Sequence, residues 1–158
     1  MAEEKTNVMR ILDQKKVSYT PHHYAHPKGA VDGASVAALL GKDPASVCKT
    51  LVTQGASKKY YVFVIPVLSE LDLKAAARAV GEKSIEMIRQ AQLLPLTGYV
   101  HGGCSPVGMK KAFPTVLNES VKELDTITVS AGKIGAQVEL APEALRQLVG
   151  GVFAPVTK

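Results

Sequence analysis

Cysteine is scarce in this chain. Only Cys48 and Cys104 occur among 158 residues, far apart and without C-x-x-C spacing. That leaves little basis for a zinc site or a redox pair and predicts two free thiols. Long apolar runs are missing too, since none approaches the roughly 20 residues that span a bilayer. The opening Glu3-Glu4-Lys5 lacks the basic-then-apolar pattern of a secretion signal. These absences predict a cytoplasmic protein with no membrane partner. There is no internal repeat, linker or low-complexity tract, so residues 1–158 read as a single domain. Neither the G-x-S-x-G nucleophile elbow nor the G-x-G-x-x-G phosphate loop occurs.

What is present fits an ordered globular domain. Apolar residues make up 46% and charged residues 21%, enough of the first to build a core. Fraying is expected only at Met1–Glu4 and Val156–Lys158. The net charge of +5 suits a polyanionic partner such as RNA. The short pairs Lys58-Lys59 and Lys110-Lys111 fit equally well with solvated turns.

Periodicity and capping residues predict helices at Thr6–Lys16, Ser35–Leu40, Asp72–Val80, Ser84–Gln90 and Glu143–Val149. Thr6, Ser35, Asp72 and Ser84 are their expected caps, and Pro142 opens the last. Val47–Thr53 and Tyr60–Val67 are rich in β-branched and aromatic residues and flank a Gln54–Ser57 turn, which predicts a hairpin. Ser18–Tyr24 is extended but carries Pro21, pointing to an edge strand. Further strands are expected at Thr115–Leu117, Thr126–Ser130, Gln137–Leu140 and Val152–Ala154. Helices and strands mix without a βαβ repeat. The fold class is therefore α+β, a largely antiparallel, barrel-like mixed sheet with helices around it.

Four segments can carry chemistry. In Val47-Cys48-Lys49-Thr50-Leu51-Val52, a lysine interrupts an apolar strand, facing either a polar cavity or water at a strand edge. Between Gly98 and Gly108, four glycines and a proline in eleven residues make a shaped loop. Its amides could hold a developing oxyanion, or it is simply a tight connection. Ser130–Gly135 is a turn of small residues where Ser130 could meet a substrate amine. His22-His23-Tyr24-Ala25-His26 has no nearby cysteine or carboxylate to complete a metal site, so a structural role fits it better. His101 and Cys104 lie close in sequence, but local adjacency does not make a catalytic pair.

In order and spacing these segments resemble the YbaK family, related to the editing domain of bacterial prolyl-tRNA synthetases. The likeness runs from Thr6 to Phe153. It rests on His22–His26, Cys48–Leu51, Thr97–Tyr99, Gly102–Gly108, Ser130–Lys133 and Val138–Pro142. The resemblance implies a deacylase that removes cysteine from mischarged Cys-tRNA(Pro) and Cys-tRNA(Cys), without cofactor or metal. It implies catalytic roles for Lys49, Gly102 and Gly103. Tyr24, Thr50, Cys104, Ser105, Pro106, Ser130 and Gly132 would bind the aminoacylated 3′ end of tRNA. Ile134 departs from an arginine common in relatives, and Gln137 from an aspartate found in some.

A pocket separates cysteine from serine or alanine by size only about 10²-fold at best. The family reading avoids this limit: the substrate's own sulfur attacks its ester, and the protein supplies orientation and amide donors. Selection of the tRNA body would fall to a partner such as prolyl-tRNA synthetase. The alternatives are a sister deacylase acting on Ala-tRNA(Pro), a module that binds aminoacyl-tRNA without chemistry, and a hydrolase using Cys104.

Overall fold

The computed structural model describes residues 5–158. The expected fraying of Met1–Glu4 lies outside the described residues. Helix α1 (Asn7–Gln14) starts where Thr6 accepts a hydrogen bond from the Met9 amide at 3.3 Å. It buries Val8, Met9 and Leu12. Strand β1 (Thr20–His23) pairs on one side only, so the missing N–H of Pro21 interrupts no inner ladder. Helix α2 (Gly33–Leu40) begins earlier than the spacing predicts. Asp32, not Ser35, is its cap, with Oδ1 accepting from the Ser35 amide at 2.9 Å. The turn closes at Gly41, whose φ of 65° suits glycine.

Strands β2 (Cys48–Gly55) and β3 (Tyr60–Pro66) form the expected hairpin, antiparallel from Cys48↔Pro66 to Gln54↔Tyr60. Helix α3 (Leu73–Val80) is capped by Asp72, which accepts from the Lys74 and Ala75 amides. The helix expected over Ser84–Gln90 is not formed. Ile85–Met87 is instead strand β4, laid antiparallel on Thr53–Gly55 of β2. The open edge of β2 supplies backbone partners that outweigh local helix preference, and Ile85 is buried there. Helix α4 (Gln90–Thr97) follows, with Gln92 Oε1 accepting from the Arg89 amide at 2.9 Å.

A loop then leads to β5 (Thr115–Asn118). After it come the hairpin of β6 (Ile127–Lys133) and β7 (Ala136–Leu140), helix α5 (Pro142–Val149) and β8 (Val152–Ala154). The strands make two sheets rather than one barrel-like sheet: β1-β7-β6, all antiparallel, and β4-β2-β3-β5-β8. In the second sheet β5 runs parallel to β3 and β8. The β6–β7 hairpin pairs with β1 instead of extending β8, so no barrel closes. The sheets meet at a parallel bridge, Val47↔Thr128, with the Thr128 amide donating to Ser46 O at 2.9 Å.

Two cores lie on opposite faces of the larger sheet, and the first is shared with the smaller sheet, since Cys48, Val64 and Leu117 belong to it. Val129, Ala131, Val138 and Leu140 of the smaller sheet pack on Val8, Met9 and Leu12 of α1. Phe63, Ile65 and Val116 of the larger sheet pack with Ala76, Ala77 and Val156. The C-terminus is therefore not frayed. Val156 is fully buried, its amide donates to Asn118 Oδ1 at 3.1 Å, and the Lys158 amide donates to Glu70 O.

Candidate active site

Pleating gives the smaller sheet a second, polar face. Register sets His22 opposite Gln137 and Ser130 opposite Gln137. Tyr24, two residues beyond His22, lies on the same side. This face forms one wall of a cavity of about 290 Å³, lined by Tyr24, Ser130 and Gln137. The start of β2, Val47 to Leu51, forms the opposite wall. Lys49 is half-buried there. Burial lowers its pKa from the ordinary lysine value, and the charge of Glu70 offsets part of that effect. The Tyr24 and Thr50 hydroxyls are buried and have no hydrogen-bond partner among the described residues. A buried polar group without a partner is costly, so two of them on one cavity point to a ligand that satisfies them.

The glycine-rich loop closes the third side with His101, Gly102 and Cys104. Gly102 has φ of 88°, and a Cβ there would sit 2.7 Å from that of Ala30. Only glycine fits. The Gly103 amide donates to Val100 O at 3.0 Å, whereas those of Gly102 and Cys104 make no hydrogen bond to a described residue. The remaining rim comes from Val31, Asp32, Gly33 and Val36 around the start of α2, with Val67 and Leu93. The 31–36 stretch, Val67 and Leu93 are distant from one another in sequence, and no local pattern singles them out. Asp32 is the cavity's carboxylate, its pKa lowered by hydrogen bonds from the Ser35 backbone and side chain.

Lys49, Gly102, Tyr24, Thr50, Cys104 and Ser130 thus share one cavity. Gly103, Ser105, Pro106 and Gly132 do not line it. Ser105 is fully buried and accepts from the Val107 amide at 3.2 Å. Pro106 faces a separate cavity of about 240 Å³. The Gly132 amide donates to Ser130 Oγ at 3.2 Å. Gly103 and Ser105 make hydrogen bonds internal to the glycine-rich loop, and Gly132 makes one at the end of β6.

The histidine cluster is spent on structure. His22 Nε2 lies 2.8 Å from Glu139 Oε1, and His26 stands edge-on to Tyr24 at 6.3 Å between centroids. Among the described residues no group of three or more His, Cys, Asp and Glu could hold a metal ion. Both cysteines are free. Burial pushes the Cys48 and Cys104 thiols up to about 12.

The family model described as "Aminoacyl-tRNA editing domain" matches residues 28–148. The chain belongs to this aminoacyl-tRNA editing family. The match takes in every cavity residue named above except Tyr24. EbsC of Enterococcus faecalis, named as a candidate Cys-tRNA(Pro)/Cys-tRNA(Cys) deacylase, is 47% identical over 155 residues, 98% of this chain and 94% of EbsC. The uncharacterized protein YwhH of Bacillus subtilis is 24% identical over 111 residues, 70% of each chain. Two crystal structures share the editing-domain fold. One is a hypothetical protein, with a TM-score of 0.86 at 24% identity, covering 96% of this chain and 99% of that one. The other is described as a candidate trans-editing enzyme for prolyl tRNA synthetase, with a TM-score of 0.81 at 22% identity, covering 98% and 99%. No helix among the described residues is long and apolar enough to cross a membrane.

Proposed function

We propose that this editing domain is a deacylase that removes cysteine from mischarged Cys-tRNA(Pro) and Cys-tRNA(Cys), with the substrate's own thiol as nucleophile. The composition of the cavity carries this reading. Among the described residues, its lining brings together a lysine, two unpartnered hydroxyls and two residues whose amides make no hydrogen bond, without an activated nucleophile. With its pKa near 12, the Cys104 thiol stays protonated at neutral pH and is a poor nucleophile. His101 makes no hydrogen bond to it among the described residues. The near full-length similarity to EbsC supports the same substrate.

The substrate sulfur attacks the ester carbonyl carbon. A carbon–sulfur bond forms, the bond to the tRNA 3′-oxygen breaks, and the thiol proton ends on that oxygen. Cysteine leaves as a four-membered thiolactone. The Gly102 and Cys104 amides face the carbonyl oxygen as charge develops on it. Lys49 holds the terminal ribose and phosphate, and the enclosed walls bring sulfur and carbonyl together. The cavity reads only the acceptor end. Selection of the tRNA body falls to a partner, prolyl-tRNA synthetase, in the cytoplasm where tRNA is charged.

The test is a panel of Cys-, Ala- and Ser-charged tRNAs incubated with the protein in the presence of a chelator. Cys-tRNA should lose its amino acid fastest. Rates equal to those without protein would leave a binding module, and faster loss from Ala-tRNA would move the chain to the alanine-specific group.

A further inference from the structure

Gln137 is 5% exposed and its side chain reaches the cavity, yet its carboxamide makes no hydrogen bond to any described residue. The carboxamide is open to the cavity and not sealed in the core, so a ligand there can reach it. Across the ladder stands Ser130, 8% exposed. Its Oγ accepts from the Gly132 amide and retains a second lone pair. Facing side chains on adjacent strands have Cβ atoms about 5 Å apart, so the two oxygens can serve one small group.

We propose that Gln137 Oε1 and Ser130 Oγ receive the α-ammonium group of the aminoacyl ester. This inference rests on reading the cavity as the aminoacyl site. An aminoacyl ester brings one cation, and that cation must lie away from the Lys49 ammonium. Lys49 belongs to the β2 wall, and Gln137 and Ser130 to the wall of the other sheet. Asp32, the cavity's carboxylate, is exposed at the rim and turns both oxygens to Ser35, whereas Gln137 and Ser130 present their oxygens from the buried wall. Hydrogen bonds accepted from the ammonium orient it and favour its protonated form, which does not compete with sulfur for the carbonyl.

Binding to non-cleavable mimics tests this without relying on turnover. The probes are 3′-cysteinylamino-3′-deoxyadenosine and the same compound made with 3-mercaptopropionate, which keeps the thiol and lacks the amine. Wild-type protein should bind the amine-bearing mimic roughly 10- to 100-fold more tightly, the range for a hydrogen bond to a charged group. Gln137→Met, close in volume, should remove most of that preference while leaving affinity for the des-amino mimic unchanged. Gln137→Glu, which retains the acceptor oxygen, should restore or increase it. Equal affinity of wild type for both mimics overturns the proposal, as does failure to bind either. So does a Gln137→Met variant that weakens both alike. If the mimics discriminate but no charged tRNA is cleaved, the deacylase reading fails and the ammonium site stands.

Discussion

Lys49 draws its influence from the wall that holds it. Lys49 is half-buried and burial lowers its pKa, so water screens the ammonium less than at the open surface. Lys49→Ala should lower single-turnover deacylation by about 10²-fold, the scale of losing one preorganised electrostatic contact. Thermal unfolding should barely change, because the apolar neighbours keep the strand. An active, folded variant would remove Lys49 from the mechanism. Cys104 is the opposite case. In the proposed mechanism it contributes an amide and a shape, so Cys104→Ala should keep most activity. Cys-tRNA methylated on sulfur should be inert, since a thioether cannot form the thiolactone. Loss of turnover in Cys104→Ala with continued cleavage of the methylated substrate would place the nucleophile on the protein. Lys49 was legible in the sequence because a lysine in an apolar strand is locally odd. Asp32, Val67 and Leu93 were not, because their nearness is made by the fold alone. That Gly103 and Ser105 lie off the cavity lining was not legible for a related reason: a loop's composition shows its flexibility but not which amides it uses internally.

Between elements, one carboxylate does the joining. Glu139 on β7 accepts from Lys42 at 2.7 Å, from His22 on β1 at 2.8 Å, and from Thr126 before β6. Lys42 follows α2, so this cluster ties the helix at the cavity rim to the polar face of the smaller sheet. The hydrogen bonds from Lys42, Thr126 and His22 lower the Glu139 pKa from 4.5 to about 2. A carboxylate depressed in the folded state adds stability above its unfolded pKa and loses it as pH falls through the folded one. Glu139→Gln should therefore destabilise the protein at pH 7 by about 1–3 kcal/mol, the scale of hydrogen bonds to a charged group. Wild-type and variant stabilities, read by urea unfolding, should converge between pH 4.5 and about 2. A gap independent of pH would mean that Glu139 acts by packing. Elements with strong local signals were legible: the β2–β3 hairpin from its β-branched runs, and α1 and α3 from their caps. The stretch before α4 was not. Ile85–Met87 reads as helix in isolation and becomes a strand because β2 leaves an edge to fill.

At the scale of the whole molecule, the surplus of +5 acquires a direction from three loops that meet beside the cavity. The position of the Gly102 Cβ is bounded by Ala30 and Ile134, and that of Gly103 by the Lys133 and Ile134 backbone. The same loops carry Lys28, His101 and Lys133, all exposed. Neither lysine makes an ion pair with a described residue. If the cavity takes the tRNA end as proposed, these basic side chains beside it would meet the phosphates leading into it. Such contacts release counterions, so affinity should fall with salt in proportion to the phosphates engaged. Binding of cysteinylated tRNA should weaken steeply with potassium chloride, while binding of the short adenosine mimic should hardly respond. Lys28→Ala and Lys133→Ala should each lower the slope of log affinity against log salt by about one. Their affinity for the mimic should stay unchanged, since neither residue lines the cavity. A full-length tRNA whose salt slope is the same for wild type and both variants would mean that the acceptor arm enters across another face. The lysines of the loop rim would then be ordinary solvated charges.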